Sequence, residues 1–573
     1  MKRQGLLEPQ DALGLKSQRL GPLPLINHFL KRLDIEARLD SFVATDDGRV
    51  RLPYAKGLGV LVRSILVERE PVYRQAETVS TFAPEAFGLT DQELSYLSDD
   101  AVGRALDHLF DADRALLVTD LVVAITSEFG VSLAELHNDS TTVSFCGQYA
   151  KAEGRSIRGK RAPYITYGYN KDHRPDLKQL LFVLTTSSDG SVPVQFRCED
   201  GNTSDAKTHK ETWDALKRAT GRPDFLYVAD SKLCTREQMD HIHYRGGRFI
   251  CVMPKSRQED EEFREWIQDH EPDWQLVIDR PNPRKHDGPK DQWSTYRMSL
   301  PSREGWPVVW VNSTLLALQQ EHRRREAIAK AVQELEDLSK RLRGPRPRLR
   351  ARHEIWQRVE EILKTCKVTR YLNVKLAKKE HHTFKQARPG RPGPNTQYVR
   401  TTKKRWHLSW QIDDDAIEYD RASDGMFPLL TNDRTLTDAQ ILLAHKRQPE
   451  IEKRFQQSKT VFEMAPALLK NEGRIEALFF LYFAALLVQA LIERELRQAM
   501  ARDNLDHLPL YPEERATQHP TAEQVFKLFS LVQRHTLTED GNEVRTFQAD
   551  LTDLQRQVLG LLGVPEEAYR QAL

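Results

Sequence analysis

Cysteine is sparse in this chain, and none of the five, Cys146, Cys198, Cys234, Cys251 and Cys366, falls in a CxxC pair. Five are too few for a disulfide framework and read as ordinary reduced residues. No long apolar run is present either. The most apolar stretch, Ala477 to Val488 with Ala490 to Ile492 beyond Gln489, falls short of the ~20 residues that a bilayer span needs, so it reads as a buried core helix. The opening MKRQGLLEPQDALG lacks the continuous apolar core of a secretory signal, and a cytoplasmic protein is expected. An excess of one charge is lacking as well: 85 basic residues face 83 acidic ones, a net of +2, which says little about partners.

What is present is size and unevenness. With 573 residues and 39% apolar side chains the chain can bury several cores but is too long for one. Two or three domains are expected. Between Lys340 and Arg405, 21 Lys and Arg stand against four acids, Glu354, Glu360, Glu361 and Glu380, which is +17 over 66 residues and leaves −15 for the remainder. Such a segment suits a DNA-tracking surface, because each phosphate neutralised by Lys or Arg releases counterions. A solvated loop is the plainer alternative, since RLRGPRPRLRAR and ARPGRPGPN are rich in Pro and Gly. Trp406 and Trp410 read as strand core, with stacking on an unpaired base as the alternative.

Residues 1–130 read as a helical N-terminal domain, for DNA-end binding or for packing and dimerisation: LINHFLKRLDIEARL and DAVGRALDHLFDADRALLVTDLVVAITSEFG repeat apolar residues at three-to-four spacing. Ser98, Asp99 and Asp100 offer an N-cap for the second run. From Leu136 the texture turns to strands: ELHNDSTTVSF, then KQLLFVLTTSSDGSVPVQFRCEDG folded around Ser-Asp-Gly as a hairpin. A helix from Asp205 to Ala219, DFLYVAD, a helix near Arg236 and GRFICVMP follow. The expected fold is α/β (α+β), a mixed sheet flanked by helices and compatible with a ribonuclease-H-like core, over 131–253 and 421–573. A large basic insertion domain, 254–420, interrupts it. After the insertion come MFPLLTN and the helices DAQILLAHKRQPEIEKRFQQSK and RIEALFFLYFAALLVQALIEREL.

Three acids invite a chemical reading. Asp139 stands inside LHNDSTTVSF, where Asp is a poor strand former and must reach water, cap a turn or bind something. Asp230 ends the apolar strand FLYVAD, at the end of a strand where sites in α/β sheets lie, and could equally cap the next helix. Glu452 shares a helix face with Gln456 and Lys459, next to the apolar Ile451 and Phe455; Glu450 is its competitor, and a solvated acid is the plain alternative. Carboxylates that bridge two divalent metals ~4 Å apart can activate an oxygen nucleophile and neutralise a phosphodiester's charge.

HNDSTTVSF, GYNKDHRPDLKQLLFVL, the Asp-Gly hairpin, GNTSDAKT, FLYVADSKL, DGMFPLLTN and IEKRF with its lysine occur in this order. Together they resemble the insertion-sequence-four superfamily of transposases, nearest its sixteen-thirty-four branch, over most of the chain. The resemblance implies a ribonuclease-H-like catalytic core and an Asp-Asp-Glu triad of metal ligands. The triad maps onto Asp139, Asp230 and Glu452, 91 and then 222 residues apart. It also implies two Mg²⁺ ions, with Mn²⁺ as a substitute, and a homodimer that cuts terminal inverted repeats and joins them to target DNA. The family's catalytic helix carries Tyr, Arg, Glu and Lys where this chain has His445, Gln448, Glu452 and Lys459. Glu and Lys match; Tyr and Arg, which help hold the DNA backbone, do not. His445, Lys446, Arg447, Gln448 and Lys459 are therefore the expected DNA-binding residues. The segment Lys171 to Asp176 reads as a structural network or a DNA contact, and Asp205 as a helix N-cap.

Overall fold

The computed structural model describes residues 13–149, 152–283, 285, 287–344, 347–461, 469–539 and 542–570. The chain is mixed α/β and divides into two compact units, one made of Met1–Cys251 with Leu443–Leu573 and one of Val252–Leu442.

The first unit is built on five strands. They are β1 (Glu135–Phe145), β2 (Lys178–Ser187), β3 (Pro193–Glu199), β4 (Leu226–Ala229) and β5 (Arg248–Val252), with helices α1 (Thr208–Thr220) and α2 (Arg236–His243) in the crossovers. Their spatial order is β3-β2-β1-β4-β5. β1, β2 and β3 pair antiparallel, whereas β4 and β5 run parallel to β1. β2 is covered on both faces, so its sequence is a nearly unbroken apolar run rather than an alternation. The β2–β3 turn needs a left-handed backbone at Gly190, φ +77°. A Cβ there would also come within 2.9 Å of the Arg494 side chain.

Helices surround this sheet. The N-terminal segment forms Leu23–Arg32, Ile35–Phe42, Tyr54–Val67, Asp99–Asp111 and Arg114–Phe129 among others. Ser98 caps Asp99–Asp111 by accepting from the Ala101 N–H at 3.2 Å, and Asp113 caps the next helix through the Leu116 N–H at 3.0 Å. The strand Leu13–Arg19 pairs with Gln533–Glu539, which pairs in turn with Asn542–Phe547. Two further helices are α3 (Pro449–Gln456) and α4 (Glu472–Arg502). The expected single helix from Asp438 breaks at Gln448, and Pro449 takes the first position of α3, where its missing N–H costs nothing.

The apolar run is longer than its sequence suggested. α4 has 31 residues and by length and composition could cross a membrane, yet 89% of its most apolar window is buried inside the protein. It packs on Tyr54–Val67, Asp99–Asp111, β3 and the C-terminal helices Ala522–Phe529 and Asp553–Leu561. A helix enclosed on every side needs no polar face. It is the core helix of the first unit.

The second unit has an antiparallel sheet in the order Met426–Thr431, Val308–Ser313, Asp291–Arg297, Gln275–Arg280. The strand Met426–Thr431, read from the sequence with residues 421–573, belongs to this unit. Beyond the sheet, the helices Thr314–Arg343 and Arg352–Thr365 pack against the base of a hairpin, Leu372–Gln386 with Tyr398–Ile412. Ile328, Leu335, Ile355, Val359, Leu372 and Leu408 form a separate apolar cluster there. The basic segment is thus mostly helix and strand rather than loop; its Pro345 and Arg346 lie outside the described residues. Trp406 and Trp410 pack partly buried against this cluster, and the Trp406 indole donates to the Arg350 carbonyl at 2.8 Å. That is the strand-core reading.

Candidate active site

β1 brings an unusual number of polar side chains into the sheet, and buried polar groups need partners. Thr185 Oγ1 donates to Asn138 Oδ1 at 2.8 Å. His209 Nδ1 lies 3.0 Å from the Tyr227 hydroxyl, and burial pushes the pKa of His209 down to about 4. Arg447 donates to both oxygens of Glu135 at 2.7 and 2.6 Å, and His137 meets the same carboxylate at 2.7 Å. Burial opposes the charge of Glu135, but the hydrogen bonds from His137 and Arg447 outweigh it and hold the carboxyl at about 2.

Asp139 lies four residues along β1 from Glu135. β1 and β4 pair in parallel as Glu135↔Leu226, Leu136↔Tyr227 and His137↔Val228. The same offset, carried two residues further, sets Asp139 level with Asp230 on the neighbouring strand. Adjacent strands are ~4.8 Å apart and residues in register share a face, so the two carboxyls are neighbours. Burial pushes Asp139 up to about 6, with Asp230 and Asp205 adding to the rise, while Lys171 and the Ser140 N–H oppose it. Burial likewise raises Asp230, with Asp205 adding, against the Lys232 N–H that its carboxylate accepts at 2.9 Å and the charge of Lys171.

Lys171 stands among these acids. Its ammonium is 3.0 Å from Asp205 and 3.7 Å from Asp139, and it donates to the Ser140 carbonyl at 2.5 Å. Asp205 is therefore no N-cap: it opens a short 3₁₀ turn, Asp205–Lys207, and its carboxylate takes the lysine instead, while α1 begins at Thr208. The next residue, Asp172, accepts from Lys459 with both oxygens at 2.8 Å. The segment from Lys171 is in this respect a network.

α3 is moored at several points. Gln448 donates to the Asn138 carbonyl and accepts, through its amide oxygen, the His137 ring, both at 3.0 Å. Arg454 is buried and donates to Ser191 O at 3.0 Å, to Gly190 O at 2.9 Å and to Glu493 at 2.8 Å. Glu450 accepts from the Ser191 hydroxyl at 2.6 Å, which gives it a structural task. Glu452 is exposed and has no hydrogen bond or ion pair among the described residues. It lies one turn beyond Gln448, while Lys459 lies beyond the end of α3. Both anchors hold residues beside the Asp139 cluster, Asn138 at one end and Asp172 at the other. Past Gln456 the helix widens to a π-turn, Gln457–Val461, a feature that recurs at functional sites.

No family model matches the chain, and no curated protein matches it. Among solved structures it is similar to a piggyBac transposase, from a cryo-EM structure of the synaptic complex with hairpin DNA. The similarity covers 84% of each chain at 9% identity with a TM-score of 0.25.

The expected DNA-binding residues are largely committed elsewhere. Arg447 is held by Glu135, Gln448 by Asn138 and His137, and Lys459 by Asp172. Burial, then the charges of Lys446 and His137, push His445 down to about 4, so its ring is neutral near pH 7. Lys446 is half-buried.

The donors at Asp139, Asp205 and Asp230 are all carboxylate oxygens, the set a hard cation such as Mg²⁺ prefers. Two of them are raised in pKa and so gain from a nearby positive charge. In chemistry they fit a divalent ion. Among the described residues, though, no three His, Cys, Asp or Glu side chains are gathered closely enough to hold a metal by themselves. Lys171 occupies that neighbourhood. Sequence reasoning missed Lys171 and Asp205 as members of the cluster, as well as the Glu135–Arg447 and Asn138–Gln448 ties. The signal was the density of polar residues in ELHNDS on a strand whose neighbours are apolar.

Proposed function

We propose that the protein is a DNA transposase with a ribonuclease-H-like core, in which Asp139, Asp230 and Glu452 are the catalytic acids. The observation that carries this reading is the β1–β4 register, which brings Asp139 on β1 level with Asp230 just past the end of the parallel β4, two half-buried carboxyls whose pKa values burial raises. The strand order β3-β2-β1-β4-β5, with only β2 reversed relative to its neighbours, supports it. So does the tie of Gln448, one turn before Glu452, to the Asn138 carbonyl beside Asp139. When bound, two divalent ions would activate the attacking oxygen and neutralise the phosphodiester. Asp139 and Asp230 would hold them from the sheet and Glu452 from the helix. Lys171 keeps the acids compensated until then. The substrates are the terminal inverted repeats of the protein's own element and target DNA, joined within a homodimer.

A second reading is a DNA-binding protein of the same family that does not cut. It is favoured by the inward commitment of Gln448 and Arg447 and by the neutral His445, which leave the strand near Glu452 without the usual cationic grip. Cleavage of a labelled element end in Mg²⁺ by the intact chain, and by Asp139→Ala, Asp230→Ala and Glu452→Ala, decides between them. The transposase cuts and yields joined product, and each variant abolishes both. An intact chain that binds the end but leaves it whole in Mg²⁺ and in Mn²⁺ would establish the silent protein instead.

A further inference from the structure

The hairpin of the second unit pairs fifteen residues per strand, Leu372↔Ile412 to Gln386↔Tyr398, without a shift in register. Side chains therefore alternate strictly between its two faces. One face carries Leu372, Leu376 and Leu408 at the base, against the helices. Further out its cations are interspersed with other groups: Lys404 stands opposite the acid Glu380 in the register, Lys378 lies 4.8 Å over the Trp406 ring, and Arg400 donates to His382 at 3.2 Å.

The other face is different. Lys379 stands directly opposite Arg405, which is half-buried and donates to the Arg343 carbonyl at 2.5 Å, and His381 stands opposite Lys403; Lys375 and Lys385 continue the row, and no acid occurs on this face. Lys375, Lys379, Lys385 and Lys403 are exposed, and none has an ion pair among the described residues. Like charges directly opposite on neighbouring strands are destabilising. A ribbon that tolerates such a cross-strand pair, with Lys375, Lys385 and Lys403 exposed along the same face, points to an anion that the protein itself does not supply.

We propose that this face of the ribbon, centred on the exposed Lys375, Lys379, Lys385 and Lys403, is a sequence-independent docking surface for the backbone of double-stranded DNA. The inference deepens the DNA reading above and rests on it. Alternate residues on one strand face are ~7 Å apart, so the row offers cations at intervals along a line. Duplex DNA offers the matching partner, with one negative charge per ~1.7 Å of axis. A two-stranded ribbon is narrow enough for the major groove, ~12 Å wide. The site has no base-reading geometry of its own, and its contribution is phosphate contact and salt dependence.

The test uses the full chain with EDTA, so that cleavage plays no part, and a duplex of unrelated sequence titrated across a range of salt. Lys379→Gln combined with Lys403→Gln should weaken binding at least about tenfold at low salt. It should also reduce the slope of log affinity against log salt by about two, one per lysine. Lys404→Gln on the reverse face should change neither. Melting temperature should hold or rise in the double variant, because a like-charge clash is relieved, so a folding defect cannot mimic the result. An unchanged slope in the double variant overturns the ribbon surface while leaving the DNA reading intact. Equal loss with Lys404→Gln overturns the assignment to this face, and equal binding of polyglutamate overturns the choice of DNA. A chain that binds no duplex at all overturns both the ribbon and the DNA reading.

Discussion

Asp139 is strained electrostatically in a way that a thermal measurement can read. Its ordinary pKa is 3.8 and the folded protein lifts it to about 6, chiefly through burial. Well below 3.8 the carboxyl is protonated whether the chain is folded or not, and the shift has no effect on stability. As pH rises from 4 through 6, the unfolded chain releases its proton first. Ionising the group in the fold then costs up to about 3 kcal/mol. Asp139→Asn removes that cost. Measured in chelator, the variant should melt close to the wild-type temperature at pH 4 and several degrees above it at pH 7.5. His209, whose depressed pKa makes the fold lose stability as pH falls from 6.5 through about 4, is present in both proteins and cancels in the difference. A gain of equal size at both pH values would show that the carboxyl carries no such penalty. The position of this acid could be read from the sequence, because an aspartate inside LHNDSTTVSF has no place in an ordinary strand. Its neighbours could not. Asp205 looks like a cap because Asp before a helix usually is one, and only the fold brings Lys171 against it.

At the level of elements, α3 illustrates how a short helix is aimed by residues that have no local signature. Gln448 reaches the Asn138 carbonyl 310 residues away, and Arg447 reaches Glu135 across 312. Gln448→Ala removes both bonds of that amide and leaves the Asn138 carbonyl and the His137 ring without it, a loss of about 1–3 kcal/mol. Urea unfolding should register that loss, and, if the proposed chemistry holds, cleavage should fall further than stability does because α3 loses its tie to the Asn138 carbonyl of β1. Gln448→Arg, which restores the arginine of the resembled family, should fail to raise cleavage. Arg447 already claims both oxygens of Glu135, and a guanidinium has no acceptor to offer His137. Higher turnover in Gln448→Arg would instead show that the inward tie is dispensable. Most of the elements themselves were legible: β1, the β2–β3 hairpin, β4, β5 and the hairpin strand around RWHLSWQI all follow from apolar alternation and turn residues. The break at Gln448 was not, since Pro449 is compatible with a new first turn as well as with a kink. Nor was the ribbon, whose alternating cations look from composition alone like a solvated loop.

For the molecule as a whole, a net charge of +2 conceals a basic second unit, and a mean composition conceals one helix on which the first unit depends. α4 touches the N-terminal helices, β3 and both C-terminal helices, elements drawn from opposite ends of the chain. Its buried pairs reach further still, through Glu493 to Arg454 of α3 and through Arg494 to Asp189 of the β2–β3 turn. Leu486 is fully buried near its middle. Leu486→Ala should cost about 2–5 kcal/mol, since the lost contacts are joined by a cavity that a helix fixed on all sides cannot close. Because the neighbours share this one support, amide exchange in Tyr54–Val67, Asp99–Asp111 and β3 should quicken together and by a similar factor. A membrane-spanning role for the same helix predicts otherwise: the substitution would leave exchange in the flanking elements almost untouched. Acceleration confined to one of the three would show that the N-terminal helices and the sheet are separately stable, and that α4 is a neighbour to each rather than their common core.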